Sequence, residues 1–130
     1  MKNNILKFII YLYYLSLAIL LIIYFYPGSI IGFLLYEDLG KQPILFNNPI
    51  GTAINHFFYF FYITLLGLIY NLKDKKFINS FLFLLFLSSS LELLHLIIPN
   101  RAFEINDLLA NITGVITIFF LFRLKKRFAK

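Results

Sequence analysis

The chain of 130 residues contains no cysteine, which excludes disulfide bridges, thiolate nucleophiles and cysteine-bound metal sites. It also contains no tryptophan and only six acidic residues. Hydrophobic residues make up 61% of the chain, against about 45–50% in an average soluble domain. A soluble domain of this length exposes a large fraction of its surface and could not bury so much apolar area. The composition therefore predicts a membrane protein.

Four apolar stretches are each long enough to cross a hydrocarbon core of about 30 Å, which requires roughly 20 helical residues. They cover residues 5–26, 51–72, 77–98 and 107–124, and each is apolar around its whole circumference. The first stretch is longer than a signal-peptide core and no A-x-A site follows it, so we expect it to be retained. The apolar segment 29–39 is too short to span, so it either lies along the interface or re-enters. The expected fold is all-α, a polytopic bundle of four transmembrane helices in one domain over residues 1–130.

Lysine and arginine are distributed unevenly around these stretches. Ten of the twelve basic residues lie at the two chain ends or between the second and third stretches, and only Lys41 and Arg101 lie elsewhere. Because cytoplasmic loops carry an excess of these residues, we expect both termini and the KDKK loop to be cytoplasmic. Residues 27–50 and the PNRAFEIN turn would then face outward. The net charge of +6 accordingly indicates topology and contact with anionic lipids, not a nucleic-acid partner.

Polar side chains on three of the stretches are expected at a similar depth. Glu92 lies six residues before Ile98, or roughly 9 Å inward at 1.5 Å per residue. His56 and Asn111 lie five and four residues into their stretches, or roughly 8 and 6 Å from the outer ends. A buried carboxylate costs about 2.5–3.5 kcal/mol within a span, so Glu92 requires a partner. Arg101 and His56 are the candidates.

Other polar residues extend this group. His95 shares a helix face with Glu92, three residues away, and Asp107, Asn111 and Gly114 form a stripe on one face of the last stretch. Gly114 would allow close approach of a neighbouring backbone. Arg101 lies in the turn between the two stretches. Together these residues predict a polar pocket open to the outer face.

Each of these residues has a structural and a functional interpretation. Glu92 is either half of a buried ion pair or a general acid or base, and His56 either bonds a nearby carbonyl or amide or shuttles protons to Glu92. Asp107 suits the N-terminus of a helix, where its carboxylate bonds free amides, and Asn111 suits a hydrogen bond between helices. Arg101 suits a lipid phosphate or a peptide carboxylate, or a headgroup contact without specificity.

The hypotheses drawn from these residues are Glu92 and His56 as catalytic candidates and Arg101, Asp107, Asn111 and His95 as substrate-binding candidates. His56, Glu92, His95 and Asp107 lack an ordered metal-ligand motif such as H-E-x-x-H. We therefore expect no metal and no cofactor.

The run ELLHLIIPNRAFEINDLLANITG, residues 92–114, resembles the signature of VanZ-like membrane proteins, and INHFFYF, residues 54–60, is similar to an upstream element of that family. The resemblance covers about residues 51–120. Two positions depart from it: His95 stands where glutamine is common, and Thr52-Ala53 replace an Asp-Lys pair. The missing lysine removes one cation from the outer cluster.

The resemblance implies a small multi-pass protein of the bacterial cytoplasmic membrane and cell envelope. The family's namesake is associated with resistance to the glycopeptide teicoplanin, and no reaction follows from the resemblance. We expect a pocket that binds, and in one version modifies, a lipid headgroup or a lipid-linked cell-wall precursor. The alternative is a non-enzymatic scaffold or accessory subunit whose polar cluster fixes helix packing. A transporter would require oligomers, because one chain offers four spans and no visible inverted repeat.

Overall fold

The computed structural model describes residues 2–42, 51, 53–71 and 77–128. Over these ranges the chain forms five α-helices and no strand: α1 (Lys2–Phe25), α2 (Ile30–Tyr36), α3 (Ala53–Asn71), α4 (Phe77–Leu94) and α5 (Ile105–Phe128). The all-α prediction is therefore confirmed. The expected KDKK loop, the end of the expected outer loop at residues 43–50, and Thr52 lie outside the described residues.

The bounds of the last two long helices differ from the expected ones. α4 ends at Leu94. After it, backbone hydrogen bonds join residues three apart, as in a 3₁₀ turn: the His95 amide donates to the Glu92 carbonyl (3.1 Å), and the Ile97 amide donates to the Leu94 carbonyl (3.0 Å). Pro99 explains this end, because it has no amide hydrogen for the His95 carbonyl, four residues back, and its ring would clash with that carbonyl in a continuing helix. α5 begins two residues earlier than expected and continues to Phe128, since lysine and arginine are good helix formers.

The short apolar segment after α1 folds back on itself around α2. The Ser29 hydroxyl accepts a hydrogen bond from the Gly32 amide (2.9 Å), and the Ser29 amide donates to the Leu39 carbonyl (2.7 Å). A Cβ on Gly32 would overlap the Lys41 carbonyl oxygen. Glycine is therefore required where residues 38–41 cross over α2.

α3 is the central helix and packs against α1, α4 and α5, while α4 also packs against α5. The approach of α5 to α3 is close: a Cβ on Gly114 would lie 2.6 Å from the Phe57 carbonyl oxygen and 2.9 Å from the Phe61 amide nitrogen. This confirms the prediction that Gly114 allows close backbone approach. The contact sets α5 at a distance from α3 at which short polar side chains can bridge the two helices.

Apolar side chains both fill the interior and cover the outside. The buried core includes Leu20, Phe60, Ile63, Leu84, Leu91 and Val115. Large apolar side chains also remain exposed on several helices, for example Phe8, Tyr11, Phe86, Leu109 and Phe120. Two segments, Asn4–Phe25 and Ile105–Lys125, are long and apolar enough to cross a membrane, and Ala53–Ile69 and Ile78–Leu94 are shorter apolar helices.

Candidate functional site

A histidine on α3 connects α1 and α5. The Nδ1 atom of His56 lies 2.8 Å from the Tyr24 hydroxyl on α1, and its Nε2 atom lies 3.4 Å from the Asp107 carboxylate in the first turn of α5. An ionised carboxylate only accepts hydrogen bonds. Asp107 therefore favours a proton on Nε2 of His56. Nδ1 then faces the Tyr24 hydroxyl, whose single proton is shared between this nitrogen and Asn111.

Asn111, on α5, lies at the centre of the group and is fully buried. Its Oδ1 atom accepts a hydrogen bond from the Tyr24 hydroxyl (3.3 Å). Its Nδ2 atom donates to the Ser88 carbonyl and to Glu92 Oε2 on α4, both at 3.4 Å. One amide thus joins α1, α4 and α5, which confirms the expectation that Asn111 bonds across helices.

The carboxylate of Glu92 is fully buried and surrounded by donors. Its Oε1 atom lies 3.2 Å from His95 Nδ1 and 3.4 Å from the Glu104 amide, and its Oε2 atom lies 3.9 Å from His56 Nδ1. Of the two expected partners, His56 therefore lies within reach, and it forms an ion pair with Glu92 only when its ring is protonated. Arg101 forms no ion pair with Glu92 within the described part of the chain.

Arg101 instead contacts the carbonyl end of α1. Its Nη2 atom donates to the Ile23 carbonyl (2.6 Å), and its Nε atom lies 3.5 Å from the Tyr26 carbonyl. Burial lowers the pKa of the Arg101 guanidinium from its ordinary value, and the charge of Glu92 offsets part of that effect. These bonds satisfy orphan carbonyls that the end of a helix leaves unpaired. They also tie the turn after α4 to α1.

A partly open cavity of about 140 Å³ lies beside this group. It is lined by Leu20, Ile23, Tyr24, Ser29, Ile31, Gln42, Asn55, His56, Tyr59, His95 and Arg101. The ring of His95 stacks on Tyr24, with centroids 5.0 Å apart and planes at 15°. Glu92 and Asp107 are not part of the wall, because each lies behind one of the two imidazoles.

The arrangement brings two kinds of functional group to one cavity, a guanidinium and two imidazoles. Arg101 supplies a fixed positive charge and a guanidinium with five donors, two of which are used on α1. His56 and His95 each have a carboxylate at one ring nitrogen, which orients the ring. The described residues include no group of three or more His, Asp or Glu side chains arranged to hold a metal ion.

The structure brings together all six residues that the sequence indicated, His56, Glu92, His95, Arg101, Asp107 and Asn111, although their roles stay predictions. It adds Tyr24, which the sequence reasoning missed. Tyr24 is one of nine tyrosines, so its residue type did not single it out. Its position on the last turn of α1, at the depth of His56, was the one available signal.

The chain matches the model of a known protein family. The VanZ/LLP1 family model matches residues 8–126, which include every residue of the polar group. The chain has no match among the curated proteins or the solved structures compared with it. Since the family match extends over nearly all of the sequence, the chain belongs to the VanZ/LLP1 family.

Proposed function

We propose that this protein is a multi-pass protein of the bacterial cytoplasmic membrane whose outward-facing cavity binds the anionic headgroup of a lipid or of a lipid-linked cell-wall precursor. The observation that carries the proposal is the cavity itself, which has the Arg101 guanidinium and two carboxylate-backed imidazoles in its wall. A guanidinium recognises phosphate and carboxylate with charge-assisted hydrogen bonds. Family membership supports a membrane location but names no ligand.

The proposed topology has four spanning helices, α1, α3, α4 and α5, in one domain with both termini in the cytoplasm. Three observations support it: large apolar side chains exposed on these helices, two segments of spanning length and composition, and the uneven placement of basic residues. In this orientation the turn containing Arg101 lies at the outer leaflet. The cavity would then be reached from the headgroup region.

A chemical step on the bound group is a separate hypothesis. Glu92 and His56 would be its acid and base, because an imidazole with a carboxylate neighbour can hold and release a proton. Both nitrogens of His56 already have partners, in Tyr24 and Asp107, so a reaction at His56 requires one of these contacts to open. Asp107, Asn111 and His95 would position the reacting groups.

The binding proposal is tested with Arg101→Gln, and Arg123→Gln is the matched control. Arg123 lies on α5 near the opposite end, over the ring of Phe119. Purified variants in detergent are offered, in competition, short-chain phosphatidylglycerol and diacylglycerol of the same chain length, which has no phosphate. Native mass spectrometry measures the ratio of the two bound lipids. The ratio is insensitive to the fraction of protein that is folded.

We expect Arg101→Gln to lower the preference for phosphatidylglycerol by roughly tenfold or more, because a hydrogen bond to a charged group contributes about 1.5–3 kcal/mol. Arg123→Gln should leave the preference within a factor of two of that of the unmodified protein. Equal ratios in the two variants would contradict the proposal.

The second candidate is a scaffold or accessory subunit without a ligand. It is favoured by one observation, that Arg101 already binds the α1 carbonyls and Asn111 already bonds α1 and α4. On this hypothesis the polar cluster only holds the helices together. A role in glycopeptide resistance has no support other than the family resemblance.

A further inference from the structure

His95 forms part of the cavity wall with one of its ring nitrogens already assigned. Its Nδ1 atom lies 3.2 Å from Glu92 Oε1. Because an ionised carboxylate accepts but does not donate, the ring proton lies on Nδ1. The other nitrogen, Nε2, then carries a lone pair and is a hydrogen-bond acceptor.

This acceptor has no donor within the described part of the chain. His95 is 4% exposed, and its buried Nε2 atom makes no hydrogen bond. The stack on Tyr24 holds the plane of the ring, so the nitrogen is not free to turn toward another partner. A buried polar atom without a partner is destabilising, and a donor that enters the cavity would remove this deficit.

The same cavity limits the size and the charge of such a donor. Its volume is about 140 Å³, close to that of an engineered cavity that accommodates benzene, so it has room for about six non-hydrogen atoms. Arg101 contributes a positive charge to the same wall. A ligand that matches both histidine and arginine has an anionic group and, a few atoms away, a neutral donor.

We propose that the cavity takes the headgroup of a phosphodiester lipid that carries a free hydroxyl, with the phosphate at Arg101 and the hydroxyl donating to Nε2 of His95. The inference rests on the proposed anion site and adds the headgroup class. A glycerol group has six non-hydrogen atoms, counting the oxygen that it shares with the phosphate, so it fits the cavity when the phosphate stays at the opening. A hydroxyl is preferred to an ammonium group, since an ammonium would share the cavity with the Arg101 guanidinium.

The test uses two lipids of equal charge that differ in the headgroup hydroxyls. Short-chain phosphatidylglycerol carries two hydroxyls, and phosphatidylmethanol carries none. Native mass spectrometry of the detergent-solubilised protein measures the ratio of the two bound lipids in direct competition. The variants are His95→Phe, which keeps a ring to stack on Tyr24, and His95→Gln, whose amide offers a donor to Glu92 and an acceptor to the ligand.

The unmodified protein should prefer phosphatidylglycerol about fivefold, the factor that one neutral hydrogen bond of about 1 kcal/mol gives. His95→Phe should bring the ratio close to one, and His95→Gln should keep most of the preference. A ratio near one in the unmodified protein would overturn the inference even where a variant does not fold, and so would an unchanged preference in His95→Phe. Stronger binding of phosphatidylethanolamine than of phosphatidylglycerol would overturn the choice of a hydroxyl.

The two proposals fail in different ways. Equal binding of phosphatidylglycerol and phosphatidylmethanol that still depends on Arg101 would leave the anion site in place and remove the hydroxyl site. Binding of both lipids that is independent of Arg101 would remove the anion site, and the inference about His95 would fall with it.

Discussion

Replacement of Glu92 by glutamine separates a structural role of the polar cluster from a functional one. The carboxylate receives hydrogen bonds from three directions, the His95 ring, the Glu104 amide and the Asn111 amide group. Glutamine keeps one oxygen and replaces the other with an NH₂ donor. Whichever way the new amide is turned, one donor of the cluster faces another donor.

The cost follows from that mismatch. Leaving a buried polar group unsatisfied costs about 1–3 kcal/mol, and Glu92 is 0% exposed, so water cannot take the place of the lost acceptor. For a chain of this length, this corresponds to a fall in melting temperature of roughly 3–9 °C. Glu104→Gln is the matched control, because the Glu104 side chain is exposed and should leave the melting temperature within about 1 °C of the original.

Thermal unfolding of purified protein in one detergent measures both variants. A second variant, Glu92→Gln combined with Asn111→Asp, exchanges the amide and the carboxylate between α4 and α5. This exchange should recover part of the stability, since the new amide on α4 can donate to the new carboxylate on α5, which restores the hydrogen bond in the reverse direction. It should not recover all of it, because the Ser88 carbonyl loses the donor that Asn111 provides.

Equal melting temperatures for Glu92→Gln and Glu104→Gln would refute the reasoning about the buried carboxylate. Lipid preference measured on the same samples then distinguishes the two candidate functions. The ligand site is favoured if Glu92→Gln loses its lipid preference and the double variant regains stability but not that preference. A loss that follows stability in every variant favours the scaffold.

Two further predictions address packing and topology. Gly114→Ala should destabilise the protein by about 1–3 kcal/mol, because the added methyl group meets the α3 backbone. Gly67→Ala should cost less, because its methyl group meets only side-chain atoms, of Tyr13 and Leu84. Equal melting temperatures of the two variants would contradict the close α3–α5 contact. The chain has no cysteine, so single cysteines can report the topology. Ala102→Cys should react with a membrane-impermeant maleimide in intact cells, and Arg127→Cys should react only after permeabilisation. The reverse pattern would refute the proposed orientation.

The convergence of the polar residues was predictable because it depends on helix geometry. The rise per residue relates Glu92, His56 and Asn111 to the ends of their helices, and the i,i+3 spacing relates His95 to Glu92. The structure shows these side chains in one network. Their depth along the helices therefore predicted that His56, Glu92 and Asn111 lie at one level.

Other features of the site depend on contacts that leave no mark in the sequence. Tyr24 joins the network because of how α1 packs on α3, and eight other tyrosines look the same in the sequence. The partners of Arg101 are backbone carbonyls, which every residue carries, so the sequence does not distinguish them. An acidic side chain is the partner that a sequence indicates for an arginine, and Glu92 was therefore predicted instead. The end of α4 at Leu94 reflects an effect of Pro99 that extends several residues back along the chain.

The outer ends of α4 and α5 have a consequence for the surrounding bilayer. α4 ends at Leu94, two residues after Glu92, and α5 begins at Ile105, two residues before Asp107. At 1.5 Å per residue, each of these acidic residues lies about 3 Å from the end of its helix. Lipid headgroups adjust to the ends of the helices that span a bilayer. In the proposed topology the headgroups beside these two helix ends would therefore lie close to the level of Glu92 and Asp107.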